Sequence, residues 1–451
     1  MKDKKSANRK PAKASTLGPP AAKSHGEDDA LKPVCHVVGF GASAGGLEAF
    51  QEILAVLPDN TGLAFVFVQH LDPKHTSILG ELLGKGTKMP VLQVKDHMAV
   101  EANKVYVIPP NVGMRLSDGK LLLSERSTGF GPHLPINEFF QSLAEERGSR
   151  SIAVLLSGTA SDGTLGLRAV KEAGGITFAQ DQSAKFDAMP RNAIAAGWVD
   201  LVMPPAQIAQ EILRICQHPY VTELERAPHE EHDEPAVRKA IEPSRFEEVL
   251  SMLRTTMGVD FSLYKPGTLQ RRILRRMALH KAETTSQYVR LLRENRAELK
   301  ALFHDILISV TGFFRENSTF DALKKHVFPV IFRERSAENP ARVWVAGCST
   351  GEEAYSLAIC LMEYMRETGI DVPVQIFGTD LNEPALERAR AGVYPESISS
   401  DVSAERLRRF FTRVDGQYQI SRPVRDMCIF AQQNLTKDPP FSKLGRSVYS
   451  P

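Results

Sequence analysis

From Val34 to about Ile215, short apolar runs alternate with stretches whose apolar residues recur every three or four positions. HVVGFGAS, LAFVFVQH and SIAVLLSG are nearly continuous apolar runs, the pattern of strands buried on both faces. GLEAFQEIL, INEFFQSLAEE and TLGLRAVKEAG carry the helical period. Alternation of this kind predicts an α/β fold built on a parallel, doubly wound sheet. VLQV, KVYVIPP and KLLLSE read as smaller added strands.

Residues 217–243 mix Pro, His and charge without a clear period and read as a linker. From Ser244 to about Arg335 the pattern is helical throughout. RFEEVLSMLRTTMG ends at a glycine stop, TLQRRILRRMALHK follows a Pro-Gly break, and TTSQYVRLLRENRAELKALFHDIL comes after it. Strand–helix alternation returns at Arg342 with RVWVAGC, EEAYSLAICLMEYMRE, VQIFGTDL, PALERARAG and MCIFAQQN. The expected organisation is a disordered basic tail at 1–32, an α/β domain at 33–216, the linker, a helical module at 244–335 and a second α/β domain at 336–451.

Composition narrows the function classes. The net charge of the 451 residues is only +2, so the chain has no overall bias toward nucleic acid. Its five cysteines are scattered and contain no CxxC pair, which argues against a disulfide framework or a zinc site and for a reducing, cytoplasmic setting. No apolar run reaches the roughly 18 residues a membrane helix needs. The Lys-rich start lacks the apolar segment of a secretory signal.

Gly41-Ala42-Ser43-Ala44-Gly45 matches G-x-S-x-G between a strand and a helix, a turn that exposes a serine beside helix amides. A tight structural turn has the same composition. Gly39 to Ala44 also satisfies G-x-G-x-x-A, the dinucleotide fingerprint, which asks for an acid at the end of the next strand. That strand ends in Gln69-His70 instead. Asp162 follows the third buried strand. Ser43, His70 and Asp162 therefore project from one edge of one sheet, as nucleophile, base and base-orienting carboxylate. Taken singly, His70 is also a satisfied polar residue and Asp162 a helix N-cap.

Residues 34–215 resemble the catalytic domain of the chemotaxis protein-glutamate methylesterases, the CheB family, through GASAGG, VQHLDPKHTS, LLSGTASDGTLGL and DAMPRNAI. The order Ser, His, Asp fits that family and differs from the Ser, Asp, His order of the α/β-hydrolases. The resemblance implies hydrolysis of a methylated receptor glutamate, or deamidation of a glutamine, with no cofactor for this half. Thr159 stands where the family carries Met, at a position linked to the oxyanion hole. A backbone amide there survives the change. No receiver domain precedes the catalytic domain, so control by an attached phosphoacceptor is not expected.

TLQRRILRRMALHK stacks Arg271 with Arg275 and Arg272 with Arg276 into a basic strip. Composition alone makes this a solvated helix face; the functional reading is docking of an acidic partner helix. Further on, VWVAG leads into Cys348-Ser349-Thr350-Gly351-Glu352-Glu353, and VQIFGT ends in Asp380, an acid able to accept from ribose hydroxyls. A turn and an N-cap account for the same residues one at a time. Residues 245–441 resemble the CheR methyltransferases through SVTGFFRE, AGCSTGEEAYSLAI, GTDLNEPALERARAGVY and QQNLTKDPPF. That resemblance implies a Rossmann-like domain whose S-adenosyl-L-methionine site is lined by Ser309, Thr311, Arg315, Glu352, Asp380, Asn434 and Leu435. It also supports receptor docking by the basic strip. After PPFSKL the sequence reads GRSVYSP, where the family continues with a further core strand. An open sheet edge and weak or absent cofactor binding are expected in consequence. The expected function is a bifunctional receptor-modifying protein, acting on methyl-accepting chemotaxis-type receptors or related signalling proteins without nucleic-acid binding or membrane insertion. A non-catalytic signalling scaffold and a small-ester hydrolase are the alternatives.

Overall fold

The computed structural model describes residues 36–70, 79–125, 133–159, 161–218, 241–307, 311–333, 335–336, 339–414 and 416–439. The expected tail, most of the linker, Ser309 and the closing GRSVYSP lie outside the described residues.

The first domain holds strands β1 (Val37–Ala42), β2 (Ala64–Gln69), β3 (Val91–Gln93), β4 (Met98–Ala99), β5 (Lys104–Val107), β6 (Val112–Ser117), β7 (Lys120–Glu125), β8 (Ile152–Leu155), β9 (Ile176–Gln180) and β10 (Leu201–Met203). Its helices are α1 (Gly46–Val56), α2 (Leu79–Gly84), α3 (Pro135–Arg147), α4 (Thr164–Glu172), α5 (Ala188–Ala195) and α6 (Pro205–Cys216). Seven strands form one parallel sheet in the order β10-β9-β8-β1-β2-β5-β3. VLQV and KVYVIPP contribute the short strands β3 and β5, added at one edge of the main sheet. KLLLSE forms β7 in a separate antiparallel sheet with β4 and β6.

Alternate residues of each strand serve opposite faces. Phe40, Phe65 and Phe67 pack with Phe50 of α1 and Ile212 of α6, with the Phe50 and Phe67 rings stacked at 4.3 Å. Val66, Val68 and Leu155 pack on the other side with Ile136, Phe139 and Phe140 of α3. That side is crowded at β1. A Cβ on Gly41 would lie 2.3 Å from Ile136 Cγ2, and one on Gly39 2.9 Å from Phe139 Cε1. The two glycines of the G-x-G motif therefore admit α3 onto the sheet, a packing role and not a phosphate-binding one.

The helical module comprises α7 (Pro243–Met257), α8 (Pro266–Leu279), α9 (Thr285–Glu294) and α10 (Arg296–Ile306). The stretch read through TTSQYVRLLRENRAELKALFHDIL is two helices. Asn295 leaves the helical region at φ −124°, ψ 94°, and its side chain accepts from Ala297 N and Glu298 N to start the second. Val249, Leu253, Ile273 and Met277 continue the apolar core of the α1–α6 face.

The basic strip of α8 is not presented as one surface. Arg275 is fully buried; it donates to Gly175 O at 2.9 Å and Asp305 Oδ2 at 2.6 Å, and it pairs with Asp200. Arg272 donates to Glu172 O at 2.6 Å and Lys171 O at 3.2 Å, capping the C-terminus of α4 where a cation is favoured. Arg276 pairs with Glu298. Arg271, half-buried, reaches Thr268 Oγ1 at 3.5 Å. The i, i+4 stacking is as expected, but three of the four guanidiniums hold this molecule together.

The remaining elements are α11 (Asn317–Ala322), α12 (Phe328–Phe332), β11 (Ala341–Ala346), α13 (Glu352–Thr368), β12 (Val374–Asp380), α14 (Glu383–Ala391), β13 (Val393–Tyr394), α15 (Ala404–Phe410), β14 (Phe411–Val414), β15 (Gln417–Ile420), α16 (Arg422–Arg425) and β16 (Cys428–Gln432), with a π-helical turn at Leu323–Val327. Strands β11, β12 and β16 form a parallel sheet in that order, and β13, β15 and β14 a small antiparallel one. Phe313, Phe314, Phe328 and Phe332 pack into this core. Among the described residues no helix is long and apolar enough to cross a membrane.

Burial alone would raise the Asp200 carboxyl, but Arg275 and Lys171 outweigh it and hold it well below the usual carboxylate range. Arg275→Ala would leave Asp200 buried without its guanidinium, at an expected cost of about 3–5 kcal/mol in chemical denaturation near neutral pH. Because the native carboxyl is depressed, its stabilisation is present above the ordinary carboxylate pKa of about 4 and is lost as pH falls through the native value. The gap between wild type and variant should narrow in acid. A loss below about 1 kcal/mol at neutral pH, the scale of an exposed pair, would contradict the assignment.

Candidate active site

Parallel register aligns the C-terminal ends of the central strands. Ala42 pairs with Gln69 and Gly41 with Leu155, so Ser43, His70 and the loop carrying Asp162 leave the sheet at one edge. Ser43 N donates to Ser157 O at 2.9 Å. Ser43 O accepts from Gly46 N at 3.1 Å and Gln69 Nε2 at 3.2 Å, which closes the turn into α1. Gly45 sits at φ +73°, and a Cβ there would lie 2.8 Å from Ser157 Oγ. Gly158 backs the serine from the other side: a Cβ on it would lie 2.9 Å from Ser43 Cβ and 2.0 Å from Met189 Sδ. The turn must therefore be made of small residues.

Ser157 was quoted in the sequence motif but not assigned a role. Its hydroxyl donates to Ala44 O at 2.8 Å and accepts from Phe186 N at 2.9 Å, and its own N–H donates to Gln180 Oε1 at 2.9 Å. One buried serine thus ties the Ser43 turn to the loop before α5.

His70 Nε2 lies 2.8 Å from Asp162 Oδ2. The His70 side chain is 30% exposed and that of Asp162 fully buried. An ionised carboxylate only accepts, so the pair places the proton on Nε2 and leaves Nδ1 as the basic nitrogen. Asp162 does not cap its own helix; the N-cap of α4 is Gly163, and no side chain caps it. Its oxygens accept instead from Ile136 N at 3.0 Å, Asn137 N at 2.9 Å and Gly163 N at 2.8 Å. Two of these donors open α3, where amides lack intrahelical partners and the helix dipole favours an anion. Asn137, which sequence reasoning missed, accepts from Gly163 N and Gly166 N, both at 2.9 Å. Among the described residues Ser43 Oγ is not hydrogen-bonded to His70, a spacing common before substrate tightens a catalytic pair. Thr159 is exposed on the same edge.

In the second α/β domain, the loop between β11 and α13 turns through Gly347 at φ +70°, Ser349 at +51° and Gly351 at +93°. Ser349 N donates to Asp380 Oδ2 and Asn382 N to Asp380 Oδ1, both at 2.8 Å. The buried hydroxyl of Ser349 has no partner among the described residues. Glu352 is buried and accepts from Thr350 Oγ1 at 2.5 Å. Asn434 uses its side-chain oxygen on Thr436 N at 3.0 Å and Thr436 Oγ1 at 2.7 Å, and Leu435 is exposed. Thr311 is half-buried and Arg315 exposed on the segment before α11, while Ser309 lies outside the described residues. The Cys348 thiol is pushed far up by burial and by Asp380, so it is inert.

Comparison with known proteins gives three family matches: CheB methylesterase over residues 38–212, the CheR methyltransferase all-alpha domain over 244–307, and the CheR methyltransferase SAM binding domain over 309–446. An uncharacterized 104.1 kDa protein in the hypE 3' region of Rhodobacter capsulatus is 38% identical over 379 residues, covering 81% of this chain and 40% of that protein. A protein-glutamate methylesterase/protein-glutamine glutaminase of Moorella thermoacetica is 32% identical over 200 residues, 41% of this chain and 45% of its own. A chemotaxis protein methyltransferase of Borreliella burgdorferi is 27% identical over 201 residues, 43% of this chain and 71% of its own. The chain therefore spans less than half the length of the first and second of these relatives.

Asn137→Ala would strip an acceptor from two buried amides beside Asp162. An expected loss of about 1–3 kcal/mol follows, measured by urea denaturation. A loss within about 0.5 kcal/mol, the range of a surface substitution, would show that Asn137 does not hold the loop.

Proposed function

We propose that this chain, which belongs to the CheB methylesterase family and carries the two CheR methyltransferase domains behind its esterase, hydrolyses methyl esters of receptor glutamyl side chains through Ser43, His70 and Asp162. Deamidation of glutaminyl side chains by the same steps is part of the proposal. The observation that carries it is the His70–Asp162 pair at 2.8 Å, one strand away from Ser43 on the same sheet edge.

Ser43 Oγ attacks the ester carbonyl while His70 Nδ1 takes its proton. Asp162 holds the ring in orientation and stabilises the imidazolium that forms. The tetrahedral oxyanion is met by backbone N–H groups, with Thr159 supplying one at the position where the family carries Met. His70 then gives its proton to the departing methanol. Water, activated by the same nitrogen, hydrolyses the acyl-serine and restores the enzyme. Methyl-accepting receptors or related cytoplasmic signalling proteins are the proposed substrates.

For the second half, a CheR SAM-binding domain implies S-adenosyl-L-methionine, and the residues of the loop fit it. Gly347 leaves open space at positive φ, Ser349 holds an unpartnered buried hydroxyl, and Asp380 presents a carboxylate at a strand end. When bound, this cofactor supplies an already activated methyl group. Asp380 would accept from its ribose hydroxyls. Glu352 and Arg315 are the charge complements of its ammonium and carboxylate, with Thr311, Asn434 and Leu435 completing the lining. Arg271, the least committed member of the α8 strip, remains available to a receptor.

Methanol release from methylated receptor fragments tests the esterase. Wild type should release methanol and Ser43→Ala should be slower by at least about 10³-fold. Absence of release by the wild type, on a substrate a known methylesterase processes, would turn the reading to a non-catalytic scaffold.

A further inference from the structure

Helix α4 starts beside Asp162 and ends under Arg272 and Arg275 of the helical module. Its outward side bears Arg168 and Glu172, one turn apart and joined Nε to Oε1 at 2.8 Å. Arg168 does not stay with the esterase. Its Nη1 lies 3.3 Å from Glu352 Oε1, and its Nη2 donates to Thr311 O at 2.7 Å. Its guanidinium stands 5.2 Å from the Trp198 ring centroid, and Arg388 of the methyltransferase stands at 5.5 Å from the same ring. Only 13% of the Arg168 side chain, 12% of Glu172 and 4% of Glu352 are exposed, so this is a desolvated contact and not a surface pair.

The Arg168 end of the α4 pair meets groups assigned above to the cofactor. Arg168 meets Glu352, the proposed partner of the ammonium. Glu172, 12% exposed and held to Arg168 at 2.8 Å, enters the site with it; its carboxyl would take the side of Arg315, the proposed partner of the carboxylate. The methionyl end of S-adenosylmethionine is a zwitterion, with its ammonium and carboxylate on one carbon. An Arg and a Glu one helical turn apart offer the same two charges at close quarters.

We propose that α4 of the esterase occupies the amino-acid end of the methyltransferase cofactor site, with Arg168 standing in for the ammonium and Glu172 for the carboxylate. The inference rests on the cofactor reading given above. While the esterase domain is docked, Glu352 is taken, and S-adenosylmethionine binds only when α4 withdraws. Methyl transfer is then confined to the withdrawn state. Cofactor affinity is reduced by the fraction of molecules in which α4 is withdrawn.

Calorimetric titration of the full chain with S-adenosylmethionine tests this. Arg168→Ala and, separately, Glu172→Gln should each bind about tenfold more tightly than wild type, the full effect of releasing a docked state that holds nine molecules in ten. The Glu172→Gln variant keeps size and hydrogen bonding, and decides the matter should Arg168→Ala fail to fold. Equal affinity in wild type and variants, or weaker binding in the variants, overturns the plug and leaves the cofactor reading standing. No binding by any form removes both.

Discussion

A carboxylate buried away from water has to be surrounded by donors, and much of the esterase half is arranged around that requirement at Asp162. Three backbone N–H groups and the His70 ring converge on its two oxygens. Two of the amides come from the first turn of α3, which must therefore lie close over the sheet. It can do so only because Gly39 and Gly41 present no Cβ to Ile136 and Phe139. The third comes from Gly163, held by Asn137 from that same turn. A carboxylate bound in this way is fixed in position, and it engages Nε2 of His70, leaving Nδ1 as the ring's other nitrogen. The order of strands, the glycines of β1 and the proton on the imidazole are thus one chain of consequences.

The same carboxylate fixes the origin of α4, and α4 reaches further than the esterase. Its C-terminal carbonyls are capped by the helical module, and its side carries a guanidinium to Glu352. The esterase and methyltransferase domains are joined here through one helix that begins beside Asp162.

Much of this was legible in the sequence. The buried parallel strands announce themselves as apolar runs, and the residues just past their ends, Ser43, His70 and Asp162, emerge together because parallel strands align their C-termini. His70 in place of an acid argued against a dinucleotide, and the packing of α3 on Gly39 and Gly41 gives those glycines their reason. What the sequence hid was long-range. Asn137 and Ser157 look like ordinary polar residues until the fold brings Gly163 and Gly166 to the one and Ala44, Gln180 and Phe186 to the other. KVYVIPP joins the main sheet because burial beside β2 decides its place, not its length. The break at Asn295 is a local signal that reading through the helical period passed over. The α8 arginines have the spacing of a docking strip, but spacing alone does not tell whether a guanidinium meets a foreign carboxylate or Asp200. The small antiparallel sheet of β13, β14 and β15 carries too few apolar residues per strand to stand out.

The central claim is that Asp162 sets the tautomer of His70, with the proton on Nε2 and Nδ1 left as the base for Ser43. Nitrogen NMR of histidine-labelled protein, with His70 assigned by its substitution, reads the tautomer directly near neutral pH. The account predicts a protonated Nε2 and a bare Nδ1 in the wild type, and loss of that preference in Asp162→Asn, whose amide can donate to the ring. A His70 ring protonated at Nδ1 in the wild type, or a tautomer indifferent to Asp162, would contradict it.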